Sequence, residues 1–482
     1  MAMEVQNELP PIISGGTSFV RTCFNCLNAL SGIGLITMPY TLREAGWLSL
    51  GLLLAMAIVT CYTGLLLQRC MDSKPLIITY PDIGWHAFGR KGRIIVSIFL
   101  YFELYLILIG FLILERDNLH KLFPNTSFKV GGQHIGGKPL FTLVVGLLIV
   151  PSMWLKDFRF LSFISASGAL SSLIIICSIF WVGAVDGVGF SEKAELFNLE
   201  GVPFALSLYA FCYDAHAIFP TLYSSMEDKS QFSKVLFISF ALSTVSYISM
   251  AIIGYLMFGQ RLQSQVTLNL PTRKFSSKIA IYTTLVGPLA KYALVVTPIA
   301  EAMESQLPSN YNIRAISILI RTLLLISTVI VASVIPFFGM LMALIGSILS
   351  VTLSILLPCL CYLKIFESYK RLGLELVIIL GVVVLALSAE EVRERVARLV
   401  GGRGDGRRRK RRRRRVVVGD NAVDPNDDVV DLRDEGVEAA RNDAAATQGL
   451  DIADPVEDQE EDRVGKAVEV VDVGLRLRKR QI

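Results

Sequence analysis

Ser31-Gly32-Ile33-Gly34-Leu35-Ile36-Thr37-Met38-Pro39 and Phe211-Cys212-Tyr213-Asp214-Ala215-His216-Ala217-Ile218-Phe219-Pro220 each interrupt a long apolar run with glycine, proline or polar side chains. Glycine weakens a helix, and proline removes a backbone donor and clashes with the carbonyl one turn back. In lipid the freed backbone groups must be paired within the protein or face water or ligand. Glycine and proline are common in membrane helices, so one such break says little. Two breaks at corresponding places in two halves of a chain point to the substrate site of a transporter. Free N–H groups at a break suit a carboxylate, and free C=O groups suit an ammonium or a cation. Together they suit a zwitterionic amino acid.

The surrounding sequence supports a membrane setting. The chain has 482 residues, with 53% hydrophobic, 18% charged and mean hydropathy +0.54. A membrane helix needs about 20 mostly apolar residues. Ten runs meet that need: Thr17–Tyr40, Ala45–Leu67, Arg93–Leu114, Leu140–Leu155, Leu161–Ala184, Gly201–Pro220, Lys234–Phe258, Ile279–Ala302, Ile316–Ile335 and Pro336–Leu363. Leu374–Ser388 is a shorter eleventh. Their length excludes the ten-residue alternating strands of a membrane barrel. Runs 1–5 and 6–10 form the two halves. Aligning Pro39 with Pro220 sets Ile33 against Asp214 and Gly34 against Ala215.

Ionisable residues at membrane depth are costly and functional by default. Asp214 and His216 lie at the second break, Glu103 in the third run and Lys291 in the eighth. All four are candidates for proton coupling. Lys291 can also replace a metal cation, or pair with Glu103 as a structural bridge. Glu115, Arg116 and Asp117 read as interfacial, at a helix end.

Three domains follow: a cytosolic segment 1–16, a membrane domain 17–388, and a charged tail 389–482 with an arginine-rich run from Arg407 to Arg415 and an acidic continuation. So much charge with so few aromatics reads as disorder. The basic run suits anionic lipid or nucleic acid, but a polytopic core argues against a nucleic-acid partner. Met1–Gly16 has no basic start, so no cleavable signal is expected. Basic residues in the loops after runs 2 and 10 place the N-terminus in the cytoplasm. Asn125-Thr126-Ser127, a glycosylation sequon in the loop after run 3, then falls on the opposite side. Cys23-x-x-Cys26 has metal spacing but no second pair, so it reads as packing, and no metal or cofactor is expected. No zinc, phosphate-loop or nucleophile-elbow motif is present, so an enzyme is not expected. A channel would need a filter or a lining ring. A nutrient sensor built on a transporter fold is the remaining alternative.

The sequence resembles the amino acid/auxin permease family, and within it the plant vacuolar amino acid transporters, which are related to vesicular inhibitory amino acid transporters. The matching stretches are Asn28 to Gly34 with Pro39-Tyr40, Ala45-Gly46-Trp47, Tyr80 to Gly84, Leu114-Glu115 with Asp117-Asn118-Leu119, Tyr209 to Tyr213 with His216 to Pro220, Lys291 to Leu294, and Pro336 to Gly339. They span about Gly15 to Leu374. The resemblance implies an all-α, leucine-transporter-like 5+5 inverted repeat with ten core helices and an eleventh. It implies proton-driven transport of small neutral amino acids across a vacuolar membrane, with the plasma membrane or another endomembrane as alternatives. Carried over, the substrate site is Ser31, Gly32, Ile33 and Gly34 with Cys212, Tyr213 and Asp214. In related folds helix 8 lines a sodium site beside helix 1, where Lys291 would suit a mechanism that needs no sodium.

Overall fold

The computed structural model describes residues 16–74, 77–126, 128–130, 133–154, 161–192, 195–306, 313–335 and 337–366. The eleventh apolar run and the charged tail lie outside the described residues. So does the N-terminal segment, apart from Gly16.

The chain is an all-helical, multi-span membrane protein. Its first half opens with α1 (Phe19–Leu30) and α2 (Ile33–Ala45), one span bent by 47° at Ser31-Gly32. Then come α3 (Ser49–Asp72), α4 (Tyr80–Leu122), α5 (Gly137–Trp154) and α6 (Leu161–Ala184), with a two-stranded hairpin, β1 (Phe128–Val130) and β2 (Gln133–Ile135), between α4 and α5. The second half repeats the order. It opens with the broken pair α7 (Val202–Cys212) and α8 (Phe219–Ser225), followed by α9 (Phe232–Phe258), α10 (Phe275–Glu304), α11 (Ile313–Val334) and a last span. That span runs from α12 (Phe338–Leu344) through π-helical turns at Ile345–Ser350 and Thr352–Leu356 into α13 (Leu357–Phe366).

Among the described residues, six helices are long and apolar enough to cross a membrane, or seven with the bent pair as one span. Three shorter apolar helices, Gly137–Met153, Gly168–Ala184 and Leu199–Cys212, complete the correspondence with the ten apolar runs. Aliphatic side chains such as Ile58, Ile98 and Leu147 face outward. Hydroxyls and charges such as Thr22, Thr37, Glu103, His216 and Ser243 are buried. This inside-out distribution suits a bundle in lipid, where polar groups need protein partners.

Two boundaries differ from the hydropathy reading for identifiable reasons. α4 starts at Tyr80, thirteen residues before Arg93. A capping box nucleates it: Asp82 Oδ2 accepts from Thr79 N at 3.0 Å and from Thr79 Oγ1 at 2.7 Å. Gly89, at φ 63°, then turns the short first segment into the spanning one. That left-handed conformation favours glycine, and a hydropathy window cannot see it. Second, α4 continues past Leu114 to Leu122, and on it Glu115 and Arg116 are packed against the protein, 1% and 3% exposed. The Arg116 guanidinium donates to the carbonyls of Ala332 and, at 2.8 Å, Ile335. It thereby caps the C-terminal end of α11, whose last carbonyls have no partner within the helix.

Candidate functional site

The first break is short: two residues absorb the turn, Ser31 at φ −79° and ψ 78° and Gly32 at φ −122° and ψ −134°. α1 ends there with unpaired carbonyls and α2 begins with unpaired amides. α10 runs alongside and brings Lys291 to the carbonyls. Its Nζ donates to Asn28 O at 2.8 Å and more weakly to Ser31 O at 3.5 Å. A cation at a helix C-terminus is favoured by the helix dipole as well as by the bonds. An ammonium has three N–H donors, and two are used here. No side-chain cap covers the first turn of α2.

A cavity opens on this face of the break. Ser31, Gly32, Ile33 and Lys291 line it, together with Phe111 from α4 and polar residues of α6 and α10. Two of those polar residues have spent their hydrogens on their own helices: Ser172 Oγ donates to Gly168 O at 3.2 Å, and Thr284 Oγ1 to Ala280 O at 2.9 Å. Their oxygens therefore present acceptors to the cavity. Among the described residues, Lys291 is the one charged residue in the lining.

The second break, Tyr213 to Ile218, is longer. Its side chains turn away from that cavity. Tyr213 is fully buried; its hydroxyl pairs with Thr244 Oγ1 at 2.8 Å, and its ring stacks on Phe240. Cys212 packs against Gly34 so closely that a Cβ on Gly34 would lie 2.7 Å from Cys212 Sγ. Of the seven substrate-site residues expected from sequence, Ser31, Gly32 and Ile33 line the cavity, whereas Gly34, Cys212, Tyr213 and Asp214 do not.

Asp214 joins a separate buried group. Its side chain is 6% exposed. Its carboxyl neighbours that of Glu103 from α4, and neither of its oxygens receives a hydrogen bond among the described residues. Ser350 Oγ, in the π-helical turn, donates to Glu103 Oε1 at 2.7 Å. Two carboxylates are acceptors only, so a hydrogen bond between them needs a shared proton. His216 is fully buried beside them, with Nδ1 3.9 Å from Asp214 Oδ1. Its Nε2 lies 3.1 Å from the Thr60 carbonyl and 3.0 Å from Thr63 Oγ1, so it either donates to the carbonyl or accepts from the hydroxyl. Nδ1, the nitrogen on the Asp214 side, carries the hydrogen in one tautomer and a lone pair in the other. The bridge between Glu103 and Lys291 does not form: each has the partners just described.

Sequence reasoning missed Ser172, Thr284, Ser350 and Tyr247. Hydroxyl residues inside apolar helices were a usable signal for the first three. Tyr247, on α9, carries no such mark. Its hydroxyl donates to Leu30 O, the last carbonyl of α1, and to Cys212 O, the last of α7, at 2.9 Å from the latter.

Known proteins resemble this chain along most of its length. The family described as transmembrane amino acid transporter protein matches residues 15–390. Amino acid transporter AVT1I of Arabidopsis thaliana is 54% identical over 374 residues, covering 77% of this chain and 92% of the relative. Amino acid transporter AVT1J of the same plant is 53% identical over 370 residues, covering 76% and 88%. The crystal structure of MhsT in complex with L-phenylalanine superposes with a TM-score of 0.47 at 13% identity, covering 76% of this chain and 98% of that one.

Proposed function

The chain belongs to the transmembrane amino acid transporter family, and we propose that it is a proton-coupled carrier of small neutral amino acids, working by alternating access at a vacuolar membrane. The observation that carries this reading is the Lys291 ammonium on the carbonyls of Asn28 and Ser31. A tethered cation there does the electrostatic work of a bound metal ion, and the carboxyl pair is left as the exchangeable site. The substrate carboxylate binds the first amides of α2 and the remaining Lys291 donor. Its ammonium faces the acceptor oxygens of α6 and α10. A lining with no carboxylate and a single cation, already engaged, favours a side chain without charge.

The test is uptake by purified protein in sealed liposomes, with labelled alanine, leucine, glutamate and lysine, with and without an imposed pH gradient. Gradient-driven accumulation of alanine or leucine, indifferent to sodium, is the expected result. Saturable binding without flux would instead make the protein a sensor, and stimulation by sodium would remove the tethered-cation argument. The vacuolar assignment rests on the resemblance to plant vacuolar transporters. A fluorescent fusion that marks the plasma membrane in plant cells would replace it. We also propose that the N-terminus is cytoplasmic, which places the exposed Asn125 in the lumen. Asn125→Gln should then abolish a glycosidase-sensitive gel shift, and a chain without any such shift counts against that orientation.

A further inference from the structure

We infer that Tyr247 is a positioning residue that clasps the two broken helices to each other, so that one substrate can be held by both. The inference rests on the transport reading above. A break in a membrane helix leaves carbonyls that need donors. Here a single hydroxyl serves the terminal carbonyl of both broken helices: Leu30 O at the end of α1 and Cys212 O at the end of α7. A tyrosine hydroxyl has one hydrogen, so the bond is three-centred and holds only while the two carbonyls stay close. Tyr247 is fully buried and reaches them from α9, which packs on both α1 and α2. Its ring meets that of Tyr213, at the start of the second break, edge-on at 5.3 Å. It does not line the cavity, so it acts from behind the breaks and touches no substrate.

The clasp has a companion at the far end of the same helices. Thr17 N donates to Ser225 O at 2.7 Å, and Glu227 N to Thr17 O at 3.2 Å. The start of α1 is thus tied to the end of α8, and the end of α1 to the end of α7. The backbone ties form between any residues. The Tyr247 tie depends on one side-chain oxygen, and one substitution removes it.

The experiment is the concentration dependence of liposome uptake, using whichever of labelled alanine or leucine the unaltered protein takes up faster. Tyr247→Phe is expected to raise the half-saturating concentration about fivefold or more, the loss of one hydrogen bond's worth of positioning, with a smaller change in maximal rate. Tyr255→Phe is the control. Tyr255 is equally buried on the same helix, but its hydroxyl serves a loop amide, Glu195 N, at 2.9 Å. Its half-saturation should stay within about twofold. 4-Aminophenylalanine at position 247 restores a donor of similar reach and should restore half-saturation. If Tyr247→Phe is not recovered folded, the amino variant decides: a value near that of the unaltered protein supports the clasp, and a raised one overturns it. An unchanged half-saturation in Tyr247→Phe overturns it as well. Absence of uptake by the unaltered protein would instead overturn the transport reading.

Discussion

Lys291→Met is expected to abolish gradient-driven accumulation, reducing uptake by about 100-fold, while the protein still elutes as a single folded species. Methionine nearly matches lysine in length and keeps the packing along α10, but it supplies no charge and no donor. Two bonds to Asn28 O and Ser31 O are lost together. Hydrogen bonds to a charged group are worth about 1.5–3 kcal/mol each, and the upper part of that range for a single bond already accounts for the factor. The carbonyls left behind at the helix break lose their donors, so thermal stability should fall by about 1–3 kcal/mol. Lys291→Arg should not rescue transport. The guanidinium is broad and planar, and it cannot place a compact point charge between the two carbonyls. Uptake by Lys291→Met at near the unaltered rate would mean that the lysine is only a structural plug. Recovery of uptake on addition of sodium would show instead that the ammonium stands where an ion can bind.

The position of the first break was legible because Gly32 and Gly34 announce it and because helix 1 is otherwise apolar. The register of the second was not. Aligning Pro39 with Pro220 treats the two prolines as equivalent, yet they do different work. Pro39 is the seventh residue of α2 and sits inside the helix. Pro220 is the second residue of α8, where a missing N–H costs nothing. The second break therefore lies upstream of its proline, at Tyr213 to Ile218, and Gly34 meets Cys212 rather than Ala215. Glu103, His216 and the Asp214 side chain are buried, and Lys291 is half-buried at the cavity. Which face each occupies was not legible, because the hydropathy of an all-apolar helix has no periodic stripe to orient it. Hence the carboxyls of Glu103 and Asp214 come together while Lys291 goes to the first break. Tyr247 shows the limit from the other side. A buried tyrosine in an apolar helix is commonplace, and only the three-dimensional fold brings two broken ends within reach of its hydroxyl.

Asp214→Asn and Glu103→Gln are each expected to uncouple transport from the pH gradient, lowering the accumulation ratio about tenfold toward equilibration while exchange of labelled for unlabelled substrate persists. The argument is geometric. The two carboxyls are neighbours inside the bundle, and Ser350 Oγ already gives its hydrogen to Glu103. A hydrogen bond between them would require a proton, and that proton would belong to the pair rather than to either residue. Loss of the proton leaves two buried negative charges that repel and must separate, which moves α4 against the second break. On the proposed function, proton release would thus be tied to a change in the arrangement of the two broken helices. An amide at either position keeps a neutral hydrogen bond in place but cannot release a proton, so the contact stays closed at every pH. Because the pair acts as one unit, the double variant should be no worse than the more affected single one, a non-additivity that two independent sites would not show. His216 would offer a route for the proton, because its Nδ1 lies 3.9 Å from Asp214 Oδ1. His216→Gln should slow gradient-driven uptake without flattening its pH dependence. Asp214→Asn and Glu103→Gln variants that accumulate substrate with the unaltered pH dependence would remove the carboxyl pair from coupling, and the proton would have to be sought elsewhere in the bundle.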